Sequence, residues 1–372
     1  MGAGASALMF GAHIKRQILF ADANQSVGAK IKISGGGKCN LTNMHINPQN
    51  YLGDEAFIKN SLDSFSSGDT LDFFAKYGIF PTKKDNGQYF CDNSKEVLSA
   101  LILANSSHKF LLGSRVNDIR FDKGSFIVCF EDKNVTAKKL IVASGGISYP
   151  KLNASNIGYK IAEKFAHEIK TPMPALVGLT LQKEQFWMRE LSGISLHARI
   201  KYENFVYEGD MLFSHFGISG PAVLNTSLRW ERGKIEIDFL PYLDLTVDSF
   251  IWNEKRQPTS VIDVPKRFIK AFLNSFGIVD KPMRSYSNFE KEKIILLKKY
   301  AMPIAGTFGF NRAEITKGGV KTYDINPKTF ESRVQKGLYF IGEVLDVSGE
   351  LGGYNLQWAF SSGANAAKHF RF

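Results

Sequence analysis

The residues with the clearest chemical content lie in three glycine-rich strings. Gly2-Ala3-Gly4-Ala5-Ser6-Ala7 reads as a GxGxxA fingerprint. Its first glycine makes a tight turn, its second admits a pyrophosphate, and a small third residue allows close helix–strand packing. The N–H groups and dipole of the following helix then favour phosphate charge. Asp22 ends an apolar run twenty positions after Gly2, where a carboxylate accepts from a ribose hydroxyl. The pattern calls for a strand ahead of the turn, the central one of a sheet. Only Met1 precedes Gly2.

The second string is KISGGGKCNLTN, Lys32 to Asn43. Regular helices and strands disfavour consecutive glycines, so Gly35-Gly36-Gly37 predicts backbone running close to a ligand. Lys32 and Lys38 flank the triplet, and Ser34, Asn40, Thr42 and Asn43 supply uncharged hydrogen-bonding groups. A glycine-rich surface turn is the plainer alternative. The third string is GEVLDVSGELGGYNLQWAFSSG, 342–363. Glu343 follows a strand-like run and can accept hydrogen bonds from a polyol. Gly352-Gly353 lead into a helix start at Tyr354-Asn355-Leu356-Gln357, whose free N–H groups suit the negative charge of a reduced flavin. The alternative is a Gly-Gly turn with a packed Trp358.

The chain has 372 residues and a formal charge of +11. That length allows two or three domains, and that charge suits an anionic partner: a dinucleotide, a nucleic acid or a membrane surface. No apolar run reaches membrane-spanning length, and no secretory signal is recognisable. MGAGAS also fits a myristoylation pattern, although the nucleotide-loop reading accounts for the same residues. Cys39, Cys91 and Cys129 are scattered without CxxC spacing, which argues against a disulfide framework or a metal site and fits the cytoplasm.

Behind these motifs the pattern is α/β. QILFADA, FIVCFED and KKLIVASGG read as strands, SKEVLSALILANS and GYKIAEKFAHEI as helices. After Pro172-Met173-Pro174 the texture turns all-β, with LVGLTLQ, LHARIKY and KIEIDFL between Gly and Pro turns. VPKRFIKAFLNSF and FEKEKIILLKKY then read as amphipathic helices. YFIGEVLDVSG and NLQWAFSSGANAAKHF return to a strand and a helix. The expected domains are residues 1–171 and 331–372 for nucleotide binding, 172–243 and 305–330 for a β-barrel, and 244–304 for a helical subdomain.

Four long strings together resemble the BaiN/RdsA family of NAD(P)/FAD-dependent flavoproteins, across nearly the whole chain. ISGGGKCNLTN is similar to the family's signature, with Lys38 where arginine is usual, and VASGGISYPK, LFSHFGISGPAVL and the 342–363 string are similarly close. The resemblance implies a two-dinucleotide-binding-type FAD domain with an inserted β-barrel domain and a helical subdomain. It places FAD on Gly2, Gly4, Ser6 and Asp22, then along Lys32, Ser34, Gly35, Gly36, Gly37, Lys38, Cys39 and Asn40. Gly145, Gly342 and Glu343 follow, and the helix start at Gly353, Tyr354, Asn355, Leu356 and Gln357 completes the set.

Such enzymes take hydride from NADH or NADPH and pass it to a C=C bond conjugated to a carbonyl, with a proton delivered opposite. The family implies two substrate classes, a uracil in ribosomal RNA and small steroid-like enones. Cys39, His215 and Tyr354 are the candidate proton donors. Cys39 otherwise packs under its loop, and His215 otherwise packs among Phe213 and Phe216. Lys266, Arg267, Lys270, Lys291, Lys293, Lys298 and Lys299 are the residues expected to grip RNA phosphates, or else to be solvated helix faces. A non-catalytic flavin-binding protein lacking its first strand is the reading of a different class.

Overall fold

The structure is a computed structural model that describes residues 1–372. The chain divides into two compact units, residues 1–174 with 314–372, and residues 175–313.

In the first unit two parallel strand pairs form a Rossmann-type sheet. Leu19–Ala21 pairs with Lys109–Leu111, and Leu140–Val142 pairs with Leu338–Phe340. The central position between them, which the fingerprint assigns to a strand, holds only Met1 and Gly2. The Met1 ammonium donates to the Ile141 carbonyl at 2.7 Å, and the Met1 carbonyl accepts from the Ala143 N–H at 2.9 Å. On the other side the Gly2 N–H donates to the Ala21 carbonyl at 2.7 Å. The strand is thus a two-residue stump that still ties both neighbours to the start of the first helix.

That helix, Ala5–Ala12, is short and apolar, and Ser6 through Gly11 are buried. It packs on the last helix, Tyr354–His369, whose sequence alternates large side chains (Trp358, Phe360) with small ones (Ser361 to Ala364). The small stretch is where the two backbones meet: a Cβ on Gly363 would lie 2.3 Å from the Ser6 carbonyl oxygen. Gly342 is equally confined, its notional Cβ 2.4 Å from Ser6 Oγ, and the Trp358 indole donates to the Gly342 carbonyl at 3.1 Å. An antiparallel meander, Asp118–Asp122, Ser125–Cys129 and Asn134–Ala137, completes this half.

The second unit is a closed antiparallel barrel, in the order Leu179–Leu181, Gly217–Ser219, Phe205–Phe213, Ser195–Tyr202, Lys234–Asp238, Tyr300–Thr307 and back to the first. Period-two alternation buries Leu196, Ala198, Ile200 and Tyr202 along one strand. The helix Lys266–Ser275 turns Phe268, Ile269, Phe272 and Leu273 inward, with Phe268 4.9 Å from Phe239 between ring centroids. Lys266, Arg267 and Lys270 lie on its exposed side.

Two expectations need correction. The stretch 305–330 does not return wholly to the barrel: Tyr300–Thr307 does, but Ile315–Val320 pairs with Ile169–Ala175 in the first unit. Alternation cannot say which of two sheets a strand joins. The all-β stretch also contains a helix, Pro221–Arg229, opened by the proline at its first position.

Alanine ordinarily stabilises a helix relative to glycine by about 1 kcal/mol. At Gly363 the sign should reverse, with Gly363→Ala costing about 1–3 kcal/mol through backbone overlap. Gly68, in the Ser67–Ala75 helix, has ordinary van der Waals space for a Cβ. Gly68→Ala should raise stability, and urea unfolding of the two variants checks the contrast.

Candidate functional site

The candidate site is assembled from loops at the ends of these strands. Gly2 adopts φ +95°, and a Cβ there would overlap the Ala143 carbonyl at 2.3 Å. Gly4 differs: it is the N-cap of the first helix, without a side-chain cap, and a Cβ on it would meet nothing within 4 Å. Open space thus lies in front of a helix N-terminus that no side chain caps, an arrangement suited to phosphate. Asp22 braces this turn. Its Oδ2 accepts from the Ala3 N–H at 2.7 Å, and its Oδ1 from both the N–H and the side-chain amide of Asn24 at 2.8 and 3.1 Å, leaving a lone pair on Oδ2 for a hydroxyl.

The glycine triplet is a tight 3-10 turn, Ser34–Gly37, with φ of 56°, 65° and 91° at Gly35, Gly36 and Gly37. Three successive left-handed residues strain any side chain other than glycine. Gly35 is also crowded, its notional Cβ 2.9 Å from the Asn40 nitrogen, whereas Gly36 and Gly37 face open space. Local conformation therefore demands all three glycines, and two of them also leave room for a ligand. Ser34 Oγ donates to the Ile31 carbonyl at 2.8 Å, Lys32 reaches Ser26 Oγ at 2.9 Å, and Lys38 is exposed.

Asn40 donates to Gln88 Oε1 at 2.8 Å, while its own side-chain oxygen is buried without a partner. Such an orphaned acceptor costs free energy unless a donor arrives. It lies 2.9 Å from the Cβ position of Gly353, at the start of the last helix. Gly353 is that helix's N-cap in a left-handed conformation, again without a side-chain cap.

The residues that follow it are structural in their side chains. Gln357 is fully buried: its oxygen accepts from Thr42 at 2.6 Å and Thr70 at 2.9 Å, and its nitrogen donates to Phe65 O and Ser361 Oγ. Asn355 clamps Gly349, accepting from its N–H and donating to its carbonyl, each at 2.7 Å. Leu356 packs on the core. Any contact of Asn355 or Leu356 with a cofactor is therefore through backbone N–H groups, whereas the Gln357 N–H already donates to the Gly353 carbonyl at 3.0 Å, which corrects the expectation of a free N–H there. The Tyr354 ring stands edge-on to Tyr51, and burial pushes its phenol up to about 12.

Glu343 is not free either. Lys30 Nζ donates to both its oxygens at 2.9 and 2.8 Å, and the Thr316 N–H donates to Oε1 at 2.9 Å. Gly145, at φ +71°, brings its notional Cβ within 3.7 Å of the same carboxylate. Lys30 and Thr316 escaped sequence reasoning, because no local pattern links residues 313 and 27 positions apart.

Of the candidate proton donors, Cys39 is fully buried and burial pushes its thiol up to about 11, which makes it a poor acid. His215 lies in the barrel unit on the loop between Phe213 and Gly217. It is exposed and makes no hydrogen bond, which corrects the expectation of a packed histidine.

The model of the HI0933-like protein Rossmann domain matches residues 1–369. The chain belongs to this family. A ribosomal RNA dihydrouridine synthase of Escherichia coli is 36% identical over 97% of this chain and 94% of its own length. One of Haemophilus influenzae is 35% identical over 97% and 95%. A 3-dehydro-bile acid delta(4,6)-reductase of Clostridium scindens is 30% identical over 99% and 97%. The chain is accordingly a flavin-dependent oxidoreductase. No helix is long and apolar enough to cross a membrane.

The observed groups fit a flavin dinucleotide: two helix N-termini without side-chain caps, open space at Gly4, Gly36 and Gly37, and an acceptor at Asn40 awaiting a donor. Raising a thiol from 9.0 to about 11 cuts its thiolate at pH 8 from about a tenth to about a thousandth. Native protein should therefore bind no iodoacetamide at Cys39, and all three buried cysteines should react once urea unfolds the chain.

Proposed function

We propose that this protein is an FAD-dependent, NAD(P)H-driven reductase of a C=C bond conjugated to a carbonyl, and that its substrate is a uracil in ribosomal RNA. The observation that carries the cofactor reading is the open space at Gly4 before the uncapped first helix. The substrate reading draws on the likeness to the dihydrouridine synthases.

In this reading Gly2–Ser6 and the helix they open hold the pyrophosphate, while Asp22 accepts from a ribose hydroxyl. Gly36 and Gly37 let the cofactor pass, Asn40 accepts a donor from it, and the 353–356 N–H groups face its anionic edge. Bound FAD supplies hydride transfer, from NADH or NADPH to the polarised double bond. Lys30 holds the Glu343 carboxylate in orientation, so that it can accept from a polyol hydroxyl. Uracil C5=C6 is conjugated to the C4 carbonyl: hydride enters at C6 and a proton is delivered to C5.

A small-molecule enone reductase is the second reading, favoured by the likeness to the bile-acid reductase. It uses the same chemistry and differs in its response to salt. An RNA-modifying enzyme loses substrate affinity steeply as salt rises, and a reductase of neutral enones does not. The non-catalytic reading is set aside, because the likeness is to named enzymes along nearly the whole chain.

The purified chain is expected to show flavin absorption bands near 1:1 stoichiometry and to convert uridine to dihydrouridine in unmodified ribosomal RNA with NADPH or NADH. Mass spectrometry of nucleosides reads the product; unmodified uridine beside rapid reduction of a steroid enone would decide for the second reading. Gly4 is neither crowded nor in a left-handed conformation, so Gly4→Leu should fold normally. It should retain less than about a tenth of the flavin, a loss exceeding 1.4 kcal/mol of binding.

A further inference from the structure

One feature of the barrel unit has no role in the cofactor site. Phe216 stands on the same turn as His215 and is 55% exposed, a large apolar ring held out to solvent. Its centroid is 6.1 Å from that of Phe308, edge to face, and the Arg312 guanidinium lies over both rings, 4.2 Å from the first and 5.6 Å from the second. Arg312 is exposed, no carboxylate lies within 4 Å of it, and its side chain donates no hydrogen bond. Its charge is therefore stacked on aromatic carbon and otherwise unspent.

The platform is held rigidly. Phe308 lies flat on Gly178, where a Cβ would come within 2.2 Å of the ring, and the Phe308 N–H donates to the Gly178 carbonyl at 2.9 Å. The Arg312 N–H donates to the Gly309 carbonyl at 3.1 Å. Across from these, Ser214 Oγ accepts from the N–H groups of Phe216 and Gly217 at 3.3 and 3.2 Å and donates to the Gly217 carbonyl at 3.1 Å. Gly217 presses on the neighbouring strand, its notional Cβ 2.0 Å from the Leu179 carbonyl oxygen. Phe216 is thus an exposed ring fixed on a tightly bonded loop.

We infer that Phe216, Phe308 and Arg312 form a stacking platform for an unstacked nucleobase of the RNA substrate, with Arg312 also engaging its phosphate. This rests on the ribosomal RNA reading above and assigns it a recognition surface. Single-stranded RNA is bound by aromatic rings on which splayed bases stack and by arginine planes that continue the stack. The unpaired guanidinium offers N–H donors to a phosphate while keeping its face on the ring. The lysine-rich helices are a weaker match: Lys298 is paired with Asp238, Lys281 with Glu290, and Arg267 donates to the Glu190 carbonyl.

The test uses the flavin-loaded full chain and a fluorescein-labelled, uridine-containing RNA hairpin, with anisotropy read at several potassium chloride concentrations. Phe216→Leu should weaken binding by about five- to a hundredfold, the range of a lost base–aromatic stack, and Phe216→Trp should restore it. Arg312→Gln should weaken binding and lower the salt slope by about one; Arg312→Lys should recover the slope but not the affinity. Flavin absorption and thermal midpoint report the fold of each variant. If the wild type reduces uridine while Phe216→Leu and Arg312→Gln bind within twofold of it, the platform is wrong and the substrate reading stands. If binding depends on the platform but no dihydrouridine forms, the platform stands and the substrate reaction is wrong. A wild type that neither binds the hairpin nor modifies RNA overturns both.

Discussion

The arrangement of the flavin unit depends on one close approach, the crossing of the first and last helices at Ser6 and Gly363. There the two backbones touch, with no room for a single methyl group between them. Because Gly342 and Trp358 are fitted around the same Ser6, the crossing also sets the loop that carries Glu343. Residues from the two ends of the chain are thereby brought together. Beside the crossing, Met1 and Gly2 join the two flanking strands through three hydrogen bonds.

Around that crossing the polar groups divide into those spent on structure and those left over. Gln357, Thr42, Thr70 and Ser361 satisfy one another in a fully buried network that joins the last helix to the segments 42 and 65–70. A buried polar group that loses its partner costs free energy, so such a network fixes register rather than serving a ligand. What remains unsatisfied is therefore informative. The Asn40 oxygen and the two uncapped helix starts all await partners in the flavin unit, and in the barrel unit the Arg312 charge does the same.

The same division explains the glycine triplet. Its left-handed turn requires glycine for conformation, and only Gly36 and Gly37 then leave space beside it. A string that reads as a ligand loop is thus first a backbone solution, which the ligand uses. The Lys30–Glu343 pair shows the converse. Glu343 is visible as an acid after a strand, but its orientation comes from a lysine on another segment.

The sequence by itself determined the elements and the cofactor class. Periodicity marks the strand Leu140–Val142 and the helices Ser94–Ala104 and Lys266–Ser275, and glycines at fixed spacing mark turns that helices follow. These are local properties, written in three- and four-residue repeats and in the φ angles that only glycine adopts freely. Tertiary structure decided the rest: that Ile315–Val320 leaves the barrel for the flavin unit, that Gln357 is a structural hub, that Lys30 meets Glu343, and that Arg312 stacks on Phe216. Each depends on which distant surface a side chain meets, and a contact across hundreds of residues leaves no mark on the residues beside it.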